Sequence, residues 1–190
     1  MIRGCMFAGK TARLIGRLRE AQAGGRRVLA LKHRVDARYR ADELATHDGQ
    51  SFPAVAVGDV AEAAERIRQA RAEVVGIDEA QFFGRGLAAA CAELRAGGCV
   101  VITAGIHHDA WGQDFPPLPE LAAIADEVES LSAACTLCGA PAEFTQRSAP
   151  LAGPAPLYGP AHPVLVGGPA EYEPRCARCF VPLPGPKPVY

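Results

Sequence analysis

Four cysteines in two Cys-x-x-Cys pairs, Cys135 with Cys138 and Cys176 with Cys179, constrain this 190-residue chain more than any other feature. Two such pairs can supply four thiolates to one tetrahedral zinc. All four ligands would then come from protein, so the expected Zn²⁺ site is closed and structural. The pairs must converge, which fixes both ends of the long loop between them. What that loop serves depends on the other end of the chain, where Gly4-Cys5-Met6-Phe7-Ala8-Gly9-Lys10-Thr11 stands. This segment fits the phosphate-binding pattern G-x-x-x-x-G-K-T. Its backbone N–H groups are expected to cradle phosphates, with the positive end of the following helix behind them. Lys10 is expected to reach the outer phosphates and Thr11 to bind Mg²⁺ through its hydroxyl.

Between these ends, strand and helix patterns alternate. Leu14, Ile15 and Leu18 give residues 11–23 a helical stripe, stopped by Gly24-Gly25. Val28 to Leu31 reads as a short apolar strand and 33–52 as a polar loop. Ala54 to Val57 reads as a further strand. Asp59 with Glu62 three residues later marks a helix start, and the helix runs to about Arg71. Val74-Val75-Gly76-Ile77 is a buried-type strand ending in Asp78-Glu79. A helix over 86–96, a strand from Cys99 to Ala104, a helix over 118–125 and a strand over 127–131 complete the pattern. Such alternation predicts a parallel sheet with helices on both faces. We expect a first domain over 1–132 and a small cysteine-bearing domain over 133–190. Only Met1-Ile2-Arg3 precede Gly4, whereas a phosphate loop ordinarily follows a strand. The first strand is therefore expected to be missing or nearly so, with the natural start upstream.

Asp78 and Glu79 end a buried strand, where ligands of open α/β sheets bind. Asp78 suits a Mg²⁺-supporting role and Glu79 a base that accepts a proton from an attacking hydroxyl. Cys91 and Cys99 lie in core-type segments and read as small hydrophobes. The adjacent His107 and His108 suggest a metal pair, but adjacent side chains on a strand point to opposite faces, so surface or loop roles are expected. Trp111 either lines a pocket or covers the core. The net charge of -1 leaves no broad basic surface of the kind that wraps nucleic acid, so no nucleic-acid partner is expected. No apolar run is long enough to span a bilayer. The cysteine usage points to a reducing cytosol, hence a cytoplasmic protein.

Together these motifs resemble the small zinc-containing thymidine kinases. The phosphate loop is similar to that family's G-P-M-F-[SA]-G-K-[ST]. Asp36-Ala37-Arg38-Tyr39 is similar to its D-x-R-Y and Thr46-His47-Asp48 to its T-H-D. Ile77 to Phe83 is similar to I-D-E-x-Q-F-F, Thr145-Gln146-Arg147 to T-x-R, and Val166-Gly167-Gly168 through Tyr172 to V-G-G-x-x-x-Y. The resemblance implies a RecA-like phosphate-loop fold with a C-terminal zinc ribbon. It implies transfer of the γ-phosphoryl of ATP to the 5′-hydroxyl of thymidine, with Mg²⁺. Glu79 would be the general base. Gly4, Cys5, Met6, Phe7, Ala8, Gly9, Lys10, Thr11, Asp36 and Arg38 would serve ATP, and Thr11 and Asp78 the Mg²⁺. The loop over 139–175 would be a lasso closing over the nucleoside, with Val166, Gly167, Gly168 and Tyr172 on the substrate. Met6, Phe82, Ile106 and Phe115 fall where the family lines its thymine pocket. A homotetramer is implied as well. Cys5 departs from the family's usual proline, and Ala110 stands where a pocket phenylalanine is common, beside Trp111. The alternatives are a kinase of broader pyrimidine deoxynucleosides, a zinc-ribbon ATPase moving on nucleic acid, and a paralogue that binds nucleotide without turnover.

Overall fold

The computed structural model describes residues 1–36, 42–46, 48–148 and 167–184. Its strands are β1 (Ile2–Gly4), β2 (Val28–His33), β3 (Glu43–Ala45), β4 (Ser51–Pro53), β5 (Val55–Val57), β6 (Val74–Ile77), β7 (Val100–Gly105), β8 (Glu129–Leu131), β9 (Ala133–Ala134), β10 (Pro141–Ala142), β11 (Phe144–Arg147) and β12 (Tyr172–Arg175). Its α-helices are α1 (Lys10–Ala23), α2 (Val60–Ala70), α3 (Gly86–Ala96) and α4 (Leu118–Ile124), with a 3₁₀ turn over Ala80–Phe83.

Among the described residues, six strands form one sheet in the order β5-β2-β6-β7-β1-β8, and every pairing in it is parallel. Side chains alternate across each strand, and the apolar runs therefore feed two cores. Ile2, Ala30, Val74 and Ala104 face α1 through Leu14, Ile15 and Leu18. Leu31, Val57, Val75 and Ile77 face α2, α3 and α4 through Ile67, Leu87, Leu118 and their neighbours. Gly76 permits the close approach of α1: a Cβ there would stand 2.7 Å from Leu18 Cδ1. The expected cap of α2 forms, with the Glu62 N–H donating to Asp59 Oδ1 at 2.8 Å. The Glu62 carboxylate instead accepts from the Gly58 N–H at 2.9 Å.

Three expectations are corrected. The first strand is present: Ile2 pairs with Ala104 on one side and Glu129 on the other. The 33–52 segment contains β3 and β4, which pair antiparallel around a turn closed by the Gln50 N–H on Thr46 Oγ1 at 3.0 Å. Each strand buries a single large apolar side chain, Leu44 or Phe52, too few to show a period of two. His107 and His108 do not face opposite ways; their ring centroids are 4.2 Å apart. They lie past the end of β7, in a loop as expected, where strand alternation no longer applies. Trp111 is buried. No helix among the described residues is long and apolar enough to cross a membrane.

Candidate active site

The carboxyl ends of β1, β2, β6 and β7 meet at one edge of the sheet, and the chemistry-bearing residues follow those ends directly. After β1 the chain turns through Phe7 at φ 65 and Gly9 at φ 80 into α1. Gly4 cannot carry a side chain, because a Cβ would stand 2.4 Å from the Leu131 carbonyl oxygen on β8. Lys10 opens α1 and its Nζ donates to the Cys5 carbonyl at 2.7 Å, folding across the loop. The Thr11 hydroxyl donates to Asp78 Oδ2 at 2.9 Å. Strand β6 thus presents its carboxylate to the hydroxyl of the phosphate loop, which sets two hard oxygen donors of the kind Mg²⁺ takes side by side. Burial, and then repulsion from Glu79, push the Asp78 carboxyl up to about 7. A cation beside it would draw it back down.

Glu79 is buried and adopts a left-handed backbone, φ 50 and ψ 48. Its N–H donates to Asp78 Oδ1 at 3.0 Å and its carbonyl accepts from the Phe82 N–H at 3.0 Å. A residue held in this conformation against its preference is characteristic of functional positions. On β2, Lys32 is buried with its Nζ 4.0 Å from Asp36 Oδ2.

These residues line one cleft of about 710 Å³. Met6, Phe7, Gly9, Lys10 and Thr11 form its phosphate-loop side, with Asp36, Asp78, Glu79 and Ile106 along the strand ends. Thr136, Pro169, Tyr172, Glu173 and Pro174 close it from the cysteine module. Gly4, Cys5 and Ala8 shape the loop without lining the cleft, and Phe82 and Phe115 are not among its lining residues either. Gly167 packs on Tyr172, where a Cβ would stand 2.8 Å from ring Cε2. Gly168 donates its N–H to Glu171 at 2.7 Å and accepts from the Tyr172 N–H at 3.0 Å. Arg147 donates to the Tyr172 hydroxyl at 2.9 Å, and its guanidinium carbon lies 5.2 Å from the centroid of that ring. Arg38, Val166 and His47 lie outside the described residues.

The four cysteines converge: one sulfur from each of Cys135, Cys138, Cys176 and Cys179 lies within 4.8 Å of the others. Cys138 Sγ is 3.6 Å from both Cys176 Sγ and Cys179 Sγ. Sulfurs about 3.8 Å apart are what a tetrahedral ion with Zn–S near 2.3 Å requires, so the residues fit a metal. Backbone hydrogen bonding, from Cys176 first, brings the Cys135 thiol down to about 6. Hydrogen bonding among the sulfurs, with Cys138 first, pushes Cys179 up to about 12. Four crowded thiolates need a cation to be ionised together.

The cysteine module also grips the phosphate loop. Cys5 Sγ donates to the Ala142 carbonyl at 3.3 Å, and the Met6 N–H donates to Thr145 Oγ1 at 3.0 Å. Sequence reasoning missed Lys32, and it matched Gln81 and Thr145 to motifs without giving either a role. A lysine inside an apolar strand was the available signal for Lys32; Gln81 and Thr145 act only through residues distant in sequence or already assigned.

A family model described as thymidine kinase matches residues 1–180. Among curated relatives, thymidine kinase of Pyrobaculum aerophilum is 44% identical over 184 residues, covering 95% of this chain and 97% of the relative. Thymidine kinase of Rhodothermus sp. is 41% identical over 182 residues, covering 96% of this chain and 80% of the relative. Thymidine kinase of Halobacterium salinarum is 39% identical over 183 residues, covering 95% and 92%. A family match over residues 1–180 and relatives this similar over nearly the whole chain show that the chain belongs to the thymidine kinase family.

Proposed function

We propose that this chain transfers the γ-phosphoryl of ATP to the 5′-hydroxyl of thymidine, giving thymidine monophosphate and ADP. The observation that carries this reading is the position of Glu79, which lines the same cleft as Lys10, Thr11 and Asp78 on one side and Tyr172 on the other. Glu79 accepts the hydroxyl proton as the oxygen bonds to the γ-phosphorus, while the bond from that phosphorus to the β–γ bridging oxygen breaks and ADP leaves. Lys10 offsets negative charge on the phosphates, joined by the loop N–H groups and the N-terminal end of α1. Asp36 and Arg38 serve the same phosphates by resemblance. Thr11 and Asp78 would hold Mg²⁺, which would offset the negative charge of the phosphates. Cys135, Cys138, Cys176 and Cys179 would hold a structural Zn²⁺. The 139–175 segment acts as the lid, excluding water so that the phosphoryl passes to the nucleoside. Its Val166 to Gly168 stretch and Tyr172 hold the substrate.

The test is a panel of nucleosides with ATP and Mg²⁺, for wild type and Glu79→Gln. Thymidine-dependent ADP formation with thymidine monophosphate as product is expected. Glu79→Gln should keep ATP binding and lose about 100-fold or more in kcat; near-normal turnover removes Glu79 as the base. Equal rates with deoxycytidine would replace the reading by a broader pyrimidine deoxynucleoside kinase. Stimulation by single-stranded DNA in place of nucleoside would overturn it. The same family reading carries a cytoplasmic homotetramer, checked by light scattering during size-exclusion chromatography.

A further inference from the structure

We propose that Gln81 is a positioning residue that sets the orientation of the Glu79 carboxylate against the wall of the cleft. The inference rests on the reading of Glu79 as the base. Gln81 is buried, and both ends of its amide are used. Its Nε2 donates to Glu79 Oε2 at 2.5 Å. Its Oε1 accepts from the Ile106 N–H at 3.2 Å. A backbone N–H can only donate, so the amide has one consistent orientation: oxygen toward Ile106, NH₂ toward the carboxylate. Gln81 thus spans from the base, which follows β6, to the residue that follows β7. Glu79 and Ile106 both line the cleft, so the amide fixes the base relative to the wall beside it.

The surroundings leave that amide little freedom. A Cβ on Gly105 would stand 3.0 Å from Gln81 Oε1 and 3.0 Å from Leu118 Cδ1, so the glycine before Ile106 makes room for it. The Glu79 backbone is held independently, by its N–H on Asp78 and its carbonyl on Phe82. With the backbone fixed, the side-chain torsions of Glu79 are what remain to be set, and the amide sets them. Asparagine is one methylene too short to span both partners. Glutamate keeps the acceptor for Ile106 but replaces the donor to Glu79. Misplacing a reacting group by about 1 Å costs on the order of 100-fold in rate.

The test measures kcat and KM for ATP and thymidine in Gln81→Met, Glu79→Gln and the double variant, using radiolabelled ATP for slow rates. Gln81→Met should lose about 10-fold or more in kcat, with both KM values within about threefold of wild type. Added to Glu79→Gln, it should remove less than about twofold more, because the group it positions is already gone. A similar loss in both backgrounds, or a near-normal kcat for Gln81→Met, overturns the inference while leaving Glu79 as the base. Near-normal turnover of Glu79→Gln overturns the base reading and the inference with it. Should Gln81→Met fail to fold, Gln81→Glu preserves the Ile106 bond and tests the same point. Its kcat should fall by a similar factor, and an unchanged kcat in that folded variant overturns the inference.

Discussion

Leu14, Ile15 and Leu18 of α1, and Leu31, Val75 and Ile77 of the sheet, are fully or almost fully buried behind the cleft. The cluster beneath the other wall of the cleft is built from Cys5, Cys135, Ala142 and Cys176, edged by alanines and Cys179. Fully burying one leucine or isoleucine stabilises by about 1.5–3 kcal/mol, whereas alanine and thiol side chains supply far less. The sheet holds its shape by apolar burial; the cysteine module buries less, and its four converging sulfurs fit a metal. Yet the two walls line one cleft. One wall of the cleft therefore rests on the region with the weaker core.

The largest expected effect breaks one side of this contrast and spares the other. Replacing Cys176 by serine, or removing the metal with a strong chelator, should lower kcat/KM for thymidine at least about 100-fold, since metal binding is folding energy in such modules. Wild type should hold about one zinc per chain by metal analysis, and Cys176→Ser little. Far-UV circular dichroism should still report the α/β sheet. Turnover that survives complete metal loss would show that the module holds itself together. On the opposite side, Leu18→Ala should destabilise the whole fold by about 2–5 kcal/mol in denaturant titrations, with zinc content unchanged in the folded protein. A loss well under 1 kcal/mol would mean that the α1 face is not the main anchor.

The seam between the two regions is sharpened by Thr145→Val. The change removes the acceptor for the Met6 N–H at 3.0 Å and leaves that buried donor without its partner, a loss of about 1–3 kcal/mol. The expected result is a rise of several-fold in KM for ATP with the metal retained. An unchanged KM would mean that the loop keeps its shape without the cysteine module.

Legibility in the sequence followed the same division. Strand β6 and helix α2 were readable because a continuous apolar run and an Asp59–Glu62 cap are local signals. The cysteine pairs were readable because metal geometry restricts spacing. Strands β3 and β4 were not, since one buried side chain each leaves no period. The His107–His108 contact was hidden because it depends on where β7 stops. The roles of Gln81 and Thr145 were hidden for a deeper reason: each residue acts by completing the hydrogen bonding of another, and such partners are set by the tertiary arrangement. The phosphate loop could be seen as a motif, but its attachment to Ala142 and Thr145 could not.

The smallest expected effect concerns proton linkage, and here the cleft and the seam between the two regions carry opposite signs. Asp78, at the core side of the cleft, has its folded pKa raised to about 7 by burial first and then by Glu79. Between pH 4 and about 7 the unfolded chain has released that proton and the folded chain has kept it, so stability falls as pH rises. His107 packs tilted against His108, which in turn stacks on Phe144 of the cysteine module. Burial first, and then His108, lower its folded pKa to about 4. Across roughly pH 4 to 6.5 the unfolded chain holds that proton and the folded chain does not, so this contribution rises with pH. The two slopes oppose one another over one window. In nucleotide-free protein, Asp78→Asn should therefore melt at temperatures that climb more steeply than wild type from pH 5 to 6.5. His107→Phe should climb less steeply, or fall. Differences of a few degrees are expected, read at constant ionic strength and with zinc content verified at each pH. Parallel shifts of both variants relative to wild type would show that neither group carries the linkage. A slope change in Asp78→Asn alone would place the proton-sensitive part of the fold in the sheet and not at the seam.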